Sequence, residues 1–230
     1  MERWFRWFLV STPVNFYRFG GASMGIEEHR DWDSVDYTNL LSGNLFPPNF
    51  MWGVATASHQ IEGGNINNWS AFEPRSKSGQ LSGDACDHLN RKKEDIQLIK
   101  DLNVSHYRFS IEWSRIEPQQ GIWDEDAVQW YSDLVDQLLD KGIQPMATLH
   151  HFTHPLWWDE KGGFENENNI DDWIRFCVKM FEVLSDRIDW WCTINEPAVF
   201  ASMGYVLGEF PPGERSFKKT RIVSTNLMRA

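Results

Sequence analysis

Apolar residues recur along this chain with two different periods, and the two alternate. Ile96, Ile99 and Leu102 mark a helical face within residues 91–102. Residues 104–113 are rich in aromatic and β-branched side chains and read as a strand. Val128, Tyr131, Leu134, Val135, Leu138 and Leu139 then return at helical spacing over residues 126–141, and Gly142 stops that helix. Residues 143–149 read as a strand. Trp173, Phe176, Cys177, Met180, Phe181 and Leu184 mark a helix over 171–187. Residues 188–194 are the next strand, and 218–229 begin another helix. Upstream, residues 51–57 form a short apolar run expected to be a buried strand.

Strand and helix in strict alternation imply a parallel sheet with helices packed outside it. Strands near 51, 104, 143 and 189 give four βα units. That is about half of a (β/α)₈ barrel, which takes roughly 250 residues. A four-stranded doubly wound domain is the alternative, although no glycine-rich phosphate loop follows the first strand. Residues 62–88 carry many Gly, Asn and Ser and are expected to form a long loop of functional use. Residues 46–50, Phe-Pro-Pro-Asn-Phe, are a stiff lead-in, and residues 1–45 show no sustained period. The expected organisation is an extension over 1–45 and an α/β domain over 46–230.

Composition narrows the function classes. The net charge of −11 argues against nucleic acid and anionic membranes as partners. Cys86, Cys177 and Cys192 have no metal-like spacing and read as small hydrophobes in a reducing, cytoplasmic setting. Trp4, Phe5, Trp7, Phe8, Leu9 and Val10 form an apolar patch too short to span a membrane. With Arg3 and Arg6 it leaves a signal peptide or interfacial anchor as alternatives to a surface extension. Asn68-Trp69-Ser70 and Asn103-Val104-Ser105 match the glycosylation pattern by chance on this reading.

The candidate chemistry sits where strands end. Trp190-Trp191-Cys192 reads as a buried strand that closes in Thr193-Ile194-Asn195-Glu196-Pro197. This places an amide and a carboxylate at its carboxyl end, the functional end of a parallel barrel. A lone Glu196 is by default a surface residue; beside Asn195 on so apolar a strand it reads as a perturbed acid. Gln60, after the first strand, either serves as an ordinary loop residue or offers donor and acceptor to two vicinal hydroxyls. Arg108 lies in an apolar strand and needs a carboxylate, for structure or for function. His150, His151 and His154 crowd the third strand's end, but alternation and the lack of a completing ligand disfavour a metal site. One inward histidine bonding a substrate hydroxyl is the better use.

Residues 46–63, FPPNFMWGVATASHQIEG, resemble the amino-terminal signature of glycoside hydrolase family 1, the β-glucosidases and relatives. Residues 107–116 (YRFSIEWSRI), 148–152 (TLHHF), 193–197 (TINEP) and the Gly204-Tyr205 and 208–213 (GEFPPG) segments resemble later motifs of that family in order. The resemblance implies a TIM barrel, here its amino-terminal half of about (β/α)4, and a retaining β-glycosidase without cofactor or metal acting on a β-linked sugar. It implies Glu196 as acid/base, Asn195 on the sugar 2-hydroxyl, Gln60 and His151 as sugar ligands, and Arg108 beside the nucleophile. Two departures stand out: Phe152 replaces the usual Trp, and no Thr-Glu-Asn-Gly-like nucleophile strand is present. The rival expectation is a non-catalytic half barrel or split-enzyme subunit that joins a complementary carboxyl-terminal half or itself. Its open face would carry Trp52, Phe109, Trp113 and residues around Leu149.

Overall fold

Among the described residues, four parallel strands pair strictly in chain order, with no reversal of direction across the sheet. This computed structural model describes residues 50–230. The 1–45 extension, its apolar patch and most of the 46–50 lead-in lie outside the described residues. β1 is Gly53–Ala55, followed by the short helices α1 (Ser58–Ile61) and α2 (Asn68–Phe72). α3 (His88–Asp101) leads to β2 (His106–Ser110). Helices α4 (Trp113–Ile116) and α5 (Glu125–Asp140) precede β3 (Gln144–His150). α6 (Leu156–Glu160) and α7 (Ile170–Leu184) precede β4 (Trp190–Ile194). The chain continues through α8 (Pro197–Ser202), a π-helical turn (Met203–Leu207) and α9 (Phe217–Arg229). A doubly wound sheet reverses its strand order at a switch point. A sequential 1-2-3-4 order does not, so the sheet is an arc of a barrel. Gly53–Ala230 forms one compact unit.

Local chemistry explains the helices. Asp124 caps α5 by accepting the Ala127 N–H at 2.9 Å, and Glu125 and Asp126 place negative charge on its first turn. Val128, Tyr131, Leu134, Val135 and Leu138 are its buried stripe. Gly142 takes φ +72° and turns the chain into β3. On α7 the buried stripe is Trp173, Phe176, Met180 and Leu184. Phe181, expected on that stripe, is exposed on the outer flank and meets Trp191 at 5.3 Å.

Three expectations need correction. The second strand ends at Ser110, and Trp113 begins a helix. The 62–88 segment is not all loop. Asn67 and Ser70 exchange hydrogen bonds in a capping box that starts α2, so the polar residues there open a helix. Finally, Phe109, Trp113 and Leu149 do not line an open face; they belong to the core under the helices. Phe109 lies parallel to Tyr131 of α5. Trp113 packs against Trp157, Trp158, Trp173 and Phe176 with ring centroids 5.0–5.7 Å apart. The error came from assigning side-chain direction by hydrophobicity, whereas register assigns it by pairing. Arg108 neighbours Met146, and Ser110 neighbours Thr148 and then Cys192. These residues form the other face. β4 is half-buried rather than buried because it is an edge of the sheet.

Candidate active site

The four strands deliver their carboxyl ends to one side, as parallel pairing requires. Gln60 arrives on α1, just after β1, and is exposed. His151 follows β3. Gln60 and His151 line one cleft of about 470 Å³ with His59, Trp69, Glu73, Phe152 and Phe210 among its other walls. Arg108 projects from β2 and donates from Nη1 to Asn195 Oδ1 at 3.3 Å. The Asn195 N–H donates to the His150 carbonyl at 2.9 Å, which ties the end of β4 to the end of β3. Burial, and then the Arg108 charge, pushes the His151 imidazole down to about 4. His151 is therefore neutral at pH 7, with one nitrogen donating and one accepting.

Glu196 follows Asn195 directly, takes φ +45° and begins α8. A left-handed non-glycine residue is strained and persists only where its surroundings hold it. Pro197 at the first helical position supplies part of that hold, since its fixed φ opens α8 in the next residue. Glu196 is exposed. It also does not line the 470 Å³ cleft that holds Gln60 and His151.

Other carboxylates here are occupied. Glu112 accepts from Ser58, Asn67, Ser114 and Thr153. Glu117 accepts from Trp113, Gly121 and Arg175. Glu62 accepts from Tyr131, Asn65 and Arg115. By contrast, Arg108 keeps a buried Nε with no partner among the described residues. The described residues contain no group of three His, Cys, Asp or Glu side chains arranged for a metal ion.

Residues 42–230 match the sequence profile of Glycosyl hydrolase family 1. The chain belongs to that family. Among family 1 proteins it is similar to β-glucosidase A of Thermotoga maritima, 40% identical over 195 residues that make up 80% of this chain and 44% of that protein. It resembles the solved β-glycosidase from Pyrococcus horikoshii with TM-score 0.76 and 44% identity, over 80% of this chain and 43% of that one. The Thermotoga maritima β-glucosidase solved with castanospermine gives TM-score 0.77 and 39% identity, over 80% and 44%. The chain thus spans less than half the length of these relatives, and its four-stranded parallel sheet is a half barrel of their architecture.

Sequence reasoning missed His59 and Glu73, which pair at 2.8 Å in the cleft wall. The signal for Glu73 was the polar 62–88 segment that holds it, and His59 lies just before that segment. It also missed Glu62. Burial, and then the nearby Glu112 charge, outweigh Arg115 and raise its carboxyl to about 7. A carboxyl that holds its proton more tightly when folded gives stability below pH 4.5. That stability fades as the pH rises to about 7. His151 acts oppositely, losing stability as pH falls from 6.5 towards about 4. Glu62→Gln removes the first effect alone. The difference in unfolding free energy between wild type and Glu62→Gln is expected to move by on the order of 2–3 kcal/mol in the variant's favour from pH 5 to pH 8. Urea titrations at both pH values measure it, and a constant difference would contradict the buried-acid assignment.

Proposed function

We propose that this chain supplies the proton-donating carboxylate and part of the sugar-binding wall of a retaining β-glycosidase acting on β-glucosides in the cytoplasm. The observation that carries the reading is the Arg108–Asn195–Glu196 arrangement at the sheet's carboxyl end. An Arg with a buried, unpartnered Nε calls for an anionic group, and retaining chemistry places a second carboxyl roughly 5–5.5 Å from the acid. In that chemistry Glu196 protonates the leaving oxygen while the second carboxylate attacks the anomeric carbon. Glu196 then draws a proton from the water that releases the sugar. Asn195, Gln60 and His151 hold hydroxyls, and neutral His151 is suited to both donate and accept. The castanospermine-bound relative supports a sugar-sized ligand.

Glu62, Glu112 and Glu117 are committed to other partners, so the second carboxylate comes from outside the described residues. A complementary barrel half, docked at the sheet edges β1 and β4, is the proposed source. The test is nitrophenol release from aryl β-glucoside. The 230-residue chain alone is expected to give none, and the chain combined with the carboxyl-terminal half of a family 1 relative is expected to give turnover. Glu196-dependent turnover by the chain alone would sink the two-carboxylate reading.

A further inference from the structure

Behind the cleft, the end of β3 enters a bond network that the sugar-binding reading does not use. His150 is buried, with Phe164, Trp173 and Phe200 edge-on at 5.3, 5.7 and 5.4 Å between ring centroids. Its Nε2 lies 3.3 Å from Nδ1 of His154, and Nε2 of His154 lies 3.1 Å from Oδ1 of Asp159 on α6. The chemistry of these atoms fixes the direction of the chain. An ionised carboxylate only accepts, so His154 carries its proton on Nε2. In that tautomer His154 has a lone pair on Nδ1, which accepts from the His150 Nε2–H. His150 is left with a bare Nδ1, and that atom is buried without a partner among the described residues. The adjacent Trp173 indole N–H is likewise buried and unpartnered, a donor beside an acceptor.

Burial, with His154 and His151 adding to it, pushes the His150 imidazole well below its ordinary value, so it stays neutral. Burial acts upward on Asp159, but the hydrogen bond from His154, with Arg75 behind it, outweighs burial and lowers the carboxyl below its ordinary value. The titratable groups facing the chain are thus His151, Asp159 and Arg75.

The same segment is gripped from its other side. Asn68 donates its N–H to the His154 carbonyl at 3.1 Å and its Nδ2 to the Phe152 carbonyl at 3.1 Å. Its Oδ1 accepts the His154 N–H at 2.9 Å. Between these grips Phe152 is held at φ +70°, a conformation that needs such restraint. His151 sits between His150 and Phe152, and the His150 carbonyl anchors Asn195.

We propose that Asp159 and His154 are positioning residues, which lock His150 in one tautomer and orientation and so set His151 and Asn195 towards the sugar. The proposal rests on the sugar-binding reading of His151 and Asn195. If His154 took the other tautomer, two N–H groups would face each other across the 3.3 Å contact unless His150 moved its proton to Nδ1, so the tautomer or the ring position of His150 would change.

Long-range proton–nitrogen spectra of the histidine rings, recorded on the 230-residue protein at pH 8, test this. In the wild type His150 should be the Nε2–H tautomer, and His154 should carry its proton on Nε2 facing Asp159. Asp159→Asn offers an amide N–H in place of the carboxylate. It should populate the Nδ1–H form of His154 and shift the His150 and His151 ring signals, with far-UV circular dichroism unchanged. Asp159→Glu should restore the wild-type pattern. His154→Gln, as a second variant, should also move the His151 signals. An Nδ1–H tautomer at either histidine in the wild type would overturn the proposal. So would His150 and His151 signals that stay in place in Asp159→Asn. Neither measurement needs turnover, so failure here and failure of the glycosidase reading are separable.

Discussion

Glu196→Gln, introduced into an enzyme assembled from this chain and a complementary barrel half, is expected to lower kcat/KM for β-linked disaccharides by about 10²–10⁴-fold, the usual worth of a positioned general acid. Gln keeps the shape and polarity of the side chain but has no proton to give. A sugar leaving group departs as a poor alkoxide unless it is protonated. A dinitrophenolate departs readily without help, so kcat/KM for dinitrophenyl β-glucoside should fall far less. kcat/KM is the quantity to compare, because it reports the step in which the leaving group departs and ignores the later attack by water. The exposed Glu196 of this chain and its place at the head of α8 leave room for a leaving group to approach it. Equal losses on both substrates would mean that Glu196 does not act as the acid.

The fold was readable because its strands and helices obey their periods. The stripe Val128-Tyr131-Leu134-Val135-Leu138 and the Gly142 stop place α5 nearly residue for residue. What could not be read was direction. Trp113 lies in an apolar run that continues β2 in composition, yet the backbone leaves the sheet after Ser110. Nothing in a run of apolar residues marks where a strand becomes a helix, and the tertiary contacts of Trp113 decide it. The candidate site divides in the same way. Asn195, Glu196, Gln60, His151 and Arg108 were singled out by residue type at strand ends. Their pairings were not, since Arg108 with Asn195 joins residues 87 apart in sequence. Buried Glu62 and Glu112 were passed over, because each depends on partners from other elements. Tyr131 of α5 reaches back 69 residues to Glu62. The His150–His154–Asp159 chain was half visible as a cluster of histidines, but its use depends on burial and bond direction.

Trp113→Ala is expected to destabilise the Gly53–Ala230 unit by about 3–5 kcal/mol, the range for deleting a fully buried large aromatic. Two effects add. Trp113 is 0% exposed and contacts four other aromatic rings, Trp157 and Trp158 of α6 and Trp173 and Phe176 of α7, so its loss leaves a cavity where α4, α6 and α7 meet. Its indole N–H also donates to Glu117 Oε2 at 2.8 Å, and Glu117 is itself 0% exposed. Removing that donor leaves a buried carboxylate oxygen short of a partner, which costs about 1–3 kcal/mol. Trp113→Phe separates the two, since it retains much of the ring but not the N–H. It should cost less than Trp113→Ala yet more than its small change in volume implies. For a unit of this size the alanine variant should melt roughly 10–15 °C lower. Thermal and urea unfolding of the three proteins measure the series. An alanine variant within about 1 kcal/mol of wild type would show that the site collapses without a cavity, and that Trp113 is not the centre of the helix-side core.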